Sequence, residues 1–550
     1  MIVVILHSHY ERGGVTQVVE NHVRALRDSG QFERIVLATG GRHSGLSTET
    51  LQEVELINLD GFDYDTISGV DHTLDGVNHK TEEWSVADGL HVADLATRQQ
   101  RMLLEFKRKL LDHGLGVDGT LLHWHNHSLG KNTAVPGVIQ TLASEGWRIL
   151  LQVHDFAEDY RPENYRGLVF ATRATSKQEV DQYLYPQHDR IHYATLTRAD
   201  SCVLEHLGVH RDRLHYLPNS VTAPQGDSFS QEEARTNVLN VMKLPCDARW
   251  SLYPVRGIRR KNIGELLLLA RWGDRNRYMG LTLKPSTALE RRSYDRWKCV
   301  AADVSNRTVF DAGESPDLTL MQNISAADYV VSTSVAEGFG MAFLEPWLLG
   351  RGVIARRLST VADDFEHSGV DLRSFYDSIP IPGNNSWLNE CRREIRDSRM
   401  KAWSLLPEAF RPSIELSDDE TAETIDFAKL TPQRQVKVLR RMVADQGFEN
   451  AARELSGTLI ASLNQEFAVS VLMSNADAVT EKYGTAEIGE SLVRIYHQLN
   501  GVLSGCQKIG SRRIEDELRD VACDQNFERQ SGIDLISAFR PYFPCRTEVL

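Results

Sequence analysis

Ile2-Val-Val-Ile-Leu6 is a short apolar run, and the residues that follow it decide the fold class. Ser8–Gly14 is a polar loop ending in two glycines. Val15–Arg27 then sets Val15, Val18, Val19, Val23 and Leu26 on one helical stripe. Arg34-Ile-Val-Leu-Ala38 is a second apolar run. Strand, helix and strand at this spacing form a βαβ unit, which implies a parallel sheet covered by helices.

The alternation continues along the chain. Leu121–Trp124 and Ile149–Val153 are predicted as buried strands, with a crossover helix within Lys131–Glu145 and another strand at Leu214–Leu217. Pro218-Asn219-Ser220 is a turn. Residues 222–247, with Pro224 and Gly226, read as a linker that becomes helical. The pattern then restarts. Trp250–Val255, Met279–Leu283, Thr308–Phe310, Tyr329–Ser332 and Gly352–Ala355 are strands, and Asn262–Trp272 and Met341–Leu349 are helices. Two consecutive doubly wound α/β halves result. Residues 388–465 are charged and helical by pattern, with Asp418-Asp-Glu420 read as a solvated helix start. A dinucleotide fingerprint is missing, because Phe343 stands where the third glycine would fall after Gly338 and Gly340. A Walker A loop is missing too, because Asn132 follows Gly130-Lys131 and position 125 is His.

Composition narrows the function classes. The 550 residues carry 62 Lys and Arg against 76 Asp and Glu, a net charge of −14. Such a balance argues against a general nucleic-acid or anionic-membrane binder, yet allows a local basic pocket. No stretch approaches the ~20 apolar residues of a membrane span, and Met1–Leu6 is too short for a signal segment. Seven scattered cysteines, an odd number without a C-x-x-C pair, suit reduced thiols in the cytoplasm.

Three features converge on a phosphate-bearing ligand. His7-Ser-His-Tyr-Glu-Arg-Gly13-Gly14 lies at the carboxyl end of the first strand, where open α/β sheets bind ligands. Arg256-Gly-Ile-Arg-Arg-Lys261 puts four cations at a helix start, which becomes sensible if a diphosphate sits there. Glu337-Gly-Phe-Gly-Met-Ala-Phe-Leu-Glu345 joins a Gly-rich turn to a helix, with backbone N–H groups of Gly340 to Ala342 between two carboxylates. The plain alternatives are a tight turn, a solvated basic turn and a pair of helix-end carboxylates.

The Glu-x7-Glu segment with its internal Gly-Phe-Gly, after Ala326-Ala-Asp328 and a strand, resembles the donor signature of family 4 retaining glycosyltransferases of the GT-B fold. Other pieces fall in the family's order. Gly13-Gly14 resembles its N-terminal glycine loop, and Val153-His-Asp155 its strand-end histidine. Pro218-Asn-Ser-Val221 resembles its Pro-Asn-Gly-Val, and Arg256 with Lys261 its Arg and Lys five apart. Asn475–Leu499 resembles its closing crossover helix.

This resemblance implies an α/β fold of two Rossmann-like doubly wound domains facing a cleft. Residues 1–222 would form the acceptor-side domain and 245–375 the donor-binding domain. Residues 376–470 would be a helical insertion, and 471–550 the crossover helix and an extension. It implies a hexosyltransferase moving a sugar from a UDP-, GDP- or ADP-sugar to a hydroxyl acceptor, with retention and no required cofactor or metal. Arg256 and Lys261 would neutralise the diphosphate, and Gly13 and Gly14 would approach it. Glu345 would hold the ribose, and Glu337 the sugar, with Gly338, Phe339, Gly340, Met341 and Ala342 shaping that pocket. His154 would reach the donor sugar from the first domain. On the acceptor side would lie His125, His127, Lys131 and Asn132, with Lys131 suited to a carboxylate or phosphate. The acceptor would be small and soluble, with no nucleic-acid partner, and the helical C-terminal region would serve any homo-oligomer.

Departures and rivals are equally specific. The segment after Arg356 lacks the family's Gly-Gly turn, and Asp363-Asp-Phe-Glu-His-Ser-Gly369 stands there. His123-Trp-His-Asn-His127 sets three histidines at alternate strand positions, hence on one face. That pattern suits either a polar strand end or the metal site of a hydrolase. Asp63-Tyr-Asp65 reads as turn chemistry. A GT-B phosphorylase using phosphate and a non-catalytic sugar-nucleotide binder complete the alternatives.

Overall fold

The computed structural model describes residues 1–65, 95–223, 229–413, 422–501 and 530–550. Two parallel sheets dominate it. The first contains β1 (Ile2–Leu6), β2 (Arg34–Thr39), β3 (Glu55–Asn58), β4 (Thr120–His125), β5 (Arg148–Val153), β6 (Ile191–Thr195) and β7 (Leu214–Tyr216). Their order is β3-β2-β1-β4-β5-β6-β7. The second contains β8 (Arg249–Arg256), β9 (Arg277–Leu283), β10 (Thr308–Val309), β11 (Tyr329–Ser332) and β12 (Gly352–Ala355), in the order β10-β9-β8-β11-β12. The expected doubly wound α/β class is therefore present twice.

Burial on both faces explains the unbroken apolar strands. Val4 and Leu6 enter one core with Leu122 and Trp124, while Val3 and Ile5 enter another with Leu26, Leu492 and Tyr496. Neither face meets water, so apolar and polar residues need not alternate. Strand order reverses between β1 and β4 and again between β8 and β11. Both switch points open at carboxyl ends of strands, where an α/β sheet leaves a crevice.

Several expected boundaries move, each for a local reason. The helix expected at Met341–Leu349 is a 3-10 turn at Met341–Phe343 and a short helix at Glu345–Leu348. Pro346 removes a donor and crowds the preceding turn. The crossover expected as one helix at Asn475–Leu499 is two, Val469–Tyr483 and Thr485–Leu499, broken at Gly484. A Cβ at Gly484 would lie 2.4 Å from the Thr480 carbonyl oxygen, so the break requires glycine. The second of these helices packs on Gly14–Ser29, carrying the C-terminal chain back onto the first sheet.

The charged stretch folds as helices Asn385–Trp403, Pro432–Ala444, Gln446–Leu455 and Gly457–Asn464, with a small antiparallel strand pair at Pro380–Pro382 and Thr424–Asp426. Buried Arg356 attaches it to the second sheet. Its guanidinium donates to Glu265 Oε1 at 2.9 Å and Oε2 at 2.7 Å, and to both Asp426 oxygens at 2.9 Å. Asp418-Asp-Glu420 lies outside the described residues. Five cysteines, 202, 246, 299, 391 and 545, are free thiols, and the other two fall outside the described residues. Among the described residues no helix is long and apolar enough to cross a membrane.

Candidate active site between the two switch points

The second switch point builds a compact charge cluster. β8 ends at Arg256, and Arg259–Lys261 form a 3-10 turn before the helix Ile263–Trp272. β11 ends at Ser332, and its loop brings Glu337 against that turn. Glu337 pairs with Lys261 and accepts from Arg260 Nη1 at 2.8 Å. Arg260 also donates to the Ala336 carbonyl at 2.6 Å, and the Val335 N–H donates to the Arg260 carbonyl at 2.9 Å. Burial drives the Glu337 carboxyl upward, but Lys261 and then Arg260 outweigh it and hold it at about 2. Burial lowers Lys261 to about 8, against the pull of Glu337. Both groups are charged at neutral pH.

Arg256 has a different place from Lys261. It is exposed at the strand end and donates to the Lys284 carbonyl at 3.1 Å. Arg260 is the arginine beside Lys261 and Glu337. It lies within the basic run read from the sequence, but spacing does not say which guanidinium turns inward.

The glycine turn follows from steric need. Gly340 has φ 85°, and a Cβ there would lie 2.7 Å from the Phe343 ring. Phe339 is buried against Phe365 and Tyr483, with ring centroids 5.6 and 5.8 Å away. Its ring anchors the turn. As the first residues of a 3-10 turn, half-buried Met341 and Ala342 have N–H groups without an intrahelical acceptor. Glu345 begins the next helix. It is half-buried, and among the described residues no hydrogen bond or ion pair is found for its carboxylate. Burial pushes it up to about 7.

The first switch point faces this turn. A Cβ on Gly338 would lie 3.2 Å from the His154 carbonyl oxygen, so the two lobes meet where β5 ends. His154 is buried, and burial lowers it to about 4 against the effect of Asp155, leaving the ring neutral. Its Nε2 shares a 2.9 Å hydrogen bond with His125 Nδ1. Asp155, which the sequence reading gave no role, accepts from Arg161 Nη2 at 2.6 Å and from Asn126 Nδ2 at 3.3 Å. It also helps hold Arg260 charged from across the cleft.

The acceptor-side residues separate. Asn126 takes φ 58°, ending β4 and turning the chain into a 3-10 turn at His127–Leu129. His127 therefore leaves the face of His123 and His125, and its Nε2 lies 3.0 Å from the Leu184 carbonyl oxygen. The expected three-histidine face is corrected on this point. Its third member is His22, on the helix Gly14–Ser29, whose nitrogen lies with those of His123 and His125. A histidine within the apolar stripe of that helix was the available signal. Lys131 Nζ stands 4.7 Å from the Tyr64 ring centroid. Asn132 donates to the Gly61 and Asp63 carbonyls at 2.9 and 2.7 Å, which orders the loop before residue 65. Asp63 binds Arg42 and Asp65 binds Arg98, so the Asp-Tyr-Asp segment is an ion-paired turn.

Gly13 and Gly14 are exposed, and Gly13 has extended φ 179°. Among the described residues a Cβ on Gly14 meets nothing within 4 Å, so no contact there calls for glycine. Gly14→Ala is expected to keep or slightly raise the unfolding midpoint, since Gly→Ala gains about 0.4–1 kcal/mol where the backbone allows it. If a phosphate approaches this backbone, the same variant weakens nucleotide-sugar affinity by about tenfold, about 1.4 kcal/mol. Paired thermal-melt and calorimetric measurements separate the two effects. Unchanged affinity removes Gly14 from the site.

No protein-family model matches the chain. Over 408 residues it is 27% identical to mannosylglucosyl-3-phosphoglycerate synthase of Petrotoga mobilis (strain DSM 10674 / SJ95), covering 72% of each chain. Among solved structures it resembles sucrose-phosphate synthase of Thermosynechococcus elongatus at a TM-score of 0.50 and 13% identity, covering 91% of this chain and 100% of that one. Anabaena HepE in complex with UDP-glucose gives a TM-score of 0.49 at 11% identity, with coverage of 91% and 100%. Two doubly wound sheets, opposed switch points and the likeness to sucrose-phosphate synthase give the GT-B fold, and with the Petrotoga relative they lead to one conclusion: the chain is a glycosyltransferase.

Proposed function

We propose that the chain is a family 4 retaining enzyme that moves a sugar from a nucleoside-diphosphate sugar to a hydroxyl of a small anionic acceptor. The observation that carries the donor reading is Glu345, a half-buried carboxylate without a partner among the described residues, beside a turn of N–H donors. Ribose hydroxyls would donate to it. Lys261, Arg260 and Arg256 would neutralise the diphosphate, with Gly13 and Gly14 approaching from the other lobe. Glu337, already bonded to two cations, retains lone pairs for sugar hydroxyls. Neutral His154 would line the sugar from the first lobe. Catalysis would rest on positioning and on stabilising the leaving phosphate.

The Petrotoga relative, named a mannosylglucosyl-3-phosphoglycerate synthase, supports this acceptor class. By analogy the acceptor here is a glycosylated phosphoglycerate, small and anionic. Lys131, on residues 1–222, would meet its charge. Residues 245–375 would hold the donor, and the helices after them would brace that half.

Calorimetric titration with UDP-, GDP- and ADP-sugars tests the donor site, with inorganic phosphate as the control for a phosphorylase. Nucleotide-sugar diphosphates do not titrate near neutrality, so the pH profile reports the protein. Binding needs Glu345 ionised and Lys261 protonated, which places the affinity maximum between pH 7 and 8. Below about 7 the carboxylate takes up a proton, and affinity at pH 6 falls about fivefold relative to pH 8, where Lys261 is itself half deprotonated. Glu345→Gln removes that acid limb. A profile whose acid limb survives in the variant rejects the assignment of Glu345, and stabilisation by phosphate alone favours the phosphorylase.

A further inference from the structure

Three buried histidines share one space behind the cleft. His22 is 1% exposed, His123 0% and His125 1%. One ligand nitrogen from each lies within 4.8 Å of the other two. Ring centroids are 4.3 Å apart for His123 and His125, and 5.5 and 5.6 Å from His22 to each of them. Their hydrogen bonds divide unevenly. Nδ1 of His123 lies 2.7 Å from the Tyr496 hydroxyl, and Nδ1 of His125 lies 2.9 Å from His154 Nε2. Nε2 of His125 and both nitrogens of His22 have no hydrogen-bond partner among the described residues, and Nε2 of His123 has only the neighbouring Gln152 amide, without a well-formed hydrogen bond. The side-chain amide of Gln152, set against His125 by the sheet register and beside His123, likewise forms no well-formed hydrogen bond among the described residues.

Buried polar atoms are normally paired, because an unpaired one loses its hydration without replacement. Several orphans gathered in one place therefore call for an occupant. In His123 and His125 Nδ1 is held by a neighbour, and Nε2 has no well-formed hydrogen bond among the described residues. Metal-bound imidazoles have this arrangement, with the second N–H tied to an outer partner.

The geometry points to a site for a divalent transition-metal ion of the zinc type, ligated by His22, His123 and His125. Imidazole nitrogen suits zinc, cobalt, nickel and copper, whereas magnesium and calcium prefer oxygen. An ion about 2.0–2.1 Å from each nitrogen would draw the three to within roughly 3.4 Å of one another. Gln152 supplies the adjacent polar group. The ion would tie the helix Gly14–Ser29 to β4 and set two tautomers. With Nε2 ligated, His125 donates from Nδ1 to His154 Nε2, and His123 donates from Nδ1 to Tyr496 at the crossover helix. His125 is thus a positioning residue for His154. No step of sugar transfer passes through the ion. The site also differs from a hydrolase centre, since His127 points elsewhere and all three ligands are buried.

The full chain, stripped with chelator and dialysed, is titrated with Co2+ and then Zn2+. The expected result is one Co2+ per chain with the visible absorption of a four- or five-coordinate ion, displaced by Zn2+. Zinc-edge X-ray absorption on the wild type should count three imidazoles. His22→Phe, checked for folding by circular dichroism, should weaken binding more than about tenfold. A wild type that takes up no Co2+, an edge with fewer than three imidazoles, or a folded His22→Phe that binds as tightly overturns the site. If His22→Phe does not fold, the wild-type edge decides alone.

Discussion

Lys261→Met lowers kcat/KM for sugar transfer by about 10²–10³-fold, the usual cost of removing one preorganised group that stabilises developing charge. The side chain is buried and paired with Glu337, so its charge acts in a medium that screens weakly. Methionine keeps the length and apolar stem, and Arg260 continues to hold Glu337 ionised. The fold should therefore survive while the leaving diphosphate loses a cation. The effect belongs in kcat if charge builds in the transition state, and in KM if Lys261 only binds the ground-state donor. Arg256→Ala provides the contrast. An exposed guanidinium on the Lys284 carbonyl should affect donor KM more weakly than Arg260→Ala. Activity of Lys261→Met within a few-fold of wild type, with melting unchanged, would remove the cluster from the reaction.

Arg356→Met should destabilise the chain by about 3–5 kcal/mol, the range for leaving buried partners of an ion pair uncompensated. Arg356 and Glu265 are 1% and 0% exposed, and Asp426 is 11% exposed. Tyr376 also donates to Glu265 Oε1 at 2.7 Å. Burial already moves the Glu265 carboxyl above its usual range, with Arg356 opposing. Without Arg356 the upward shift grows, and Glu265 becomes a group whose folded form favours the proton. Stability then falls as pH rises through the carboxylate range, so the loss should be larger at pH 8 than at pH 5. Adding Glu265→Gln and Asp426→Asn removes the unpaired charges and should recover much of the loss. Denaturant unfolding of the three chains at both pH values measures this. A loss below about 1 kcal/mol would show that the helices after residue 376 do not depend on this joint.

Legibility differed by element and by residue. Strands buried on both faces were plain, and Tyr329–Ser332 and Gly352–Ala355 have the expected limits. Glu55–Asn58 and Ile191–Thr195 were missed. The first is an edge strand with only two strongly apolar residues, and the second carries His192 and Thr195 within its run. Pro346 and Gly484 mark two helix breaks that a periodic stripe conceals. In the candidate site, Lys261 and Glu337 were singled out from motif spacing and are paired in the structure. Arg260, Asp155 and His22 were not, because their roles depend on neighbours 77, 105 and about 100 residues away.

Local pattern was sufficient for the repeated βαβ order, because strand and helix periods and the glycine and proline breaks act within a few residues. It also named the residue types that can hold a phosphate and a sugar, because charge and hydrogen-bonding capacity belong to each side chain. Only the tertiary structure decided which arginine faces Lys261, that Glu345 has no partner among the described residues, and that His22 rather than His127 joins His123 and His125. Those outcomes depend on burial and on contacts between elements remote in sequence, which no local spacing encodes.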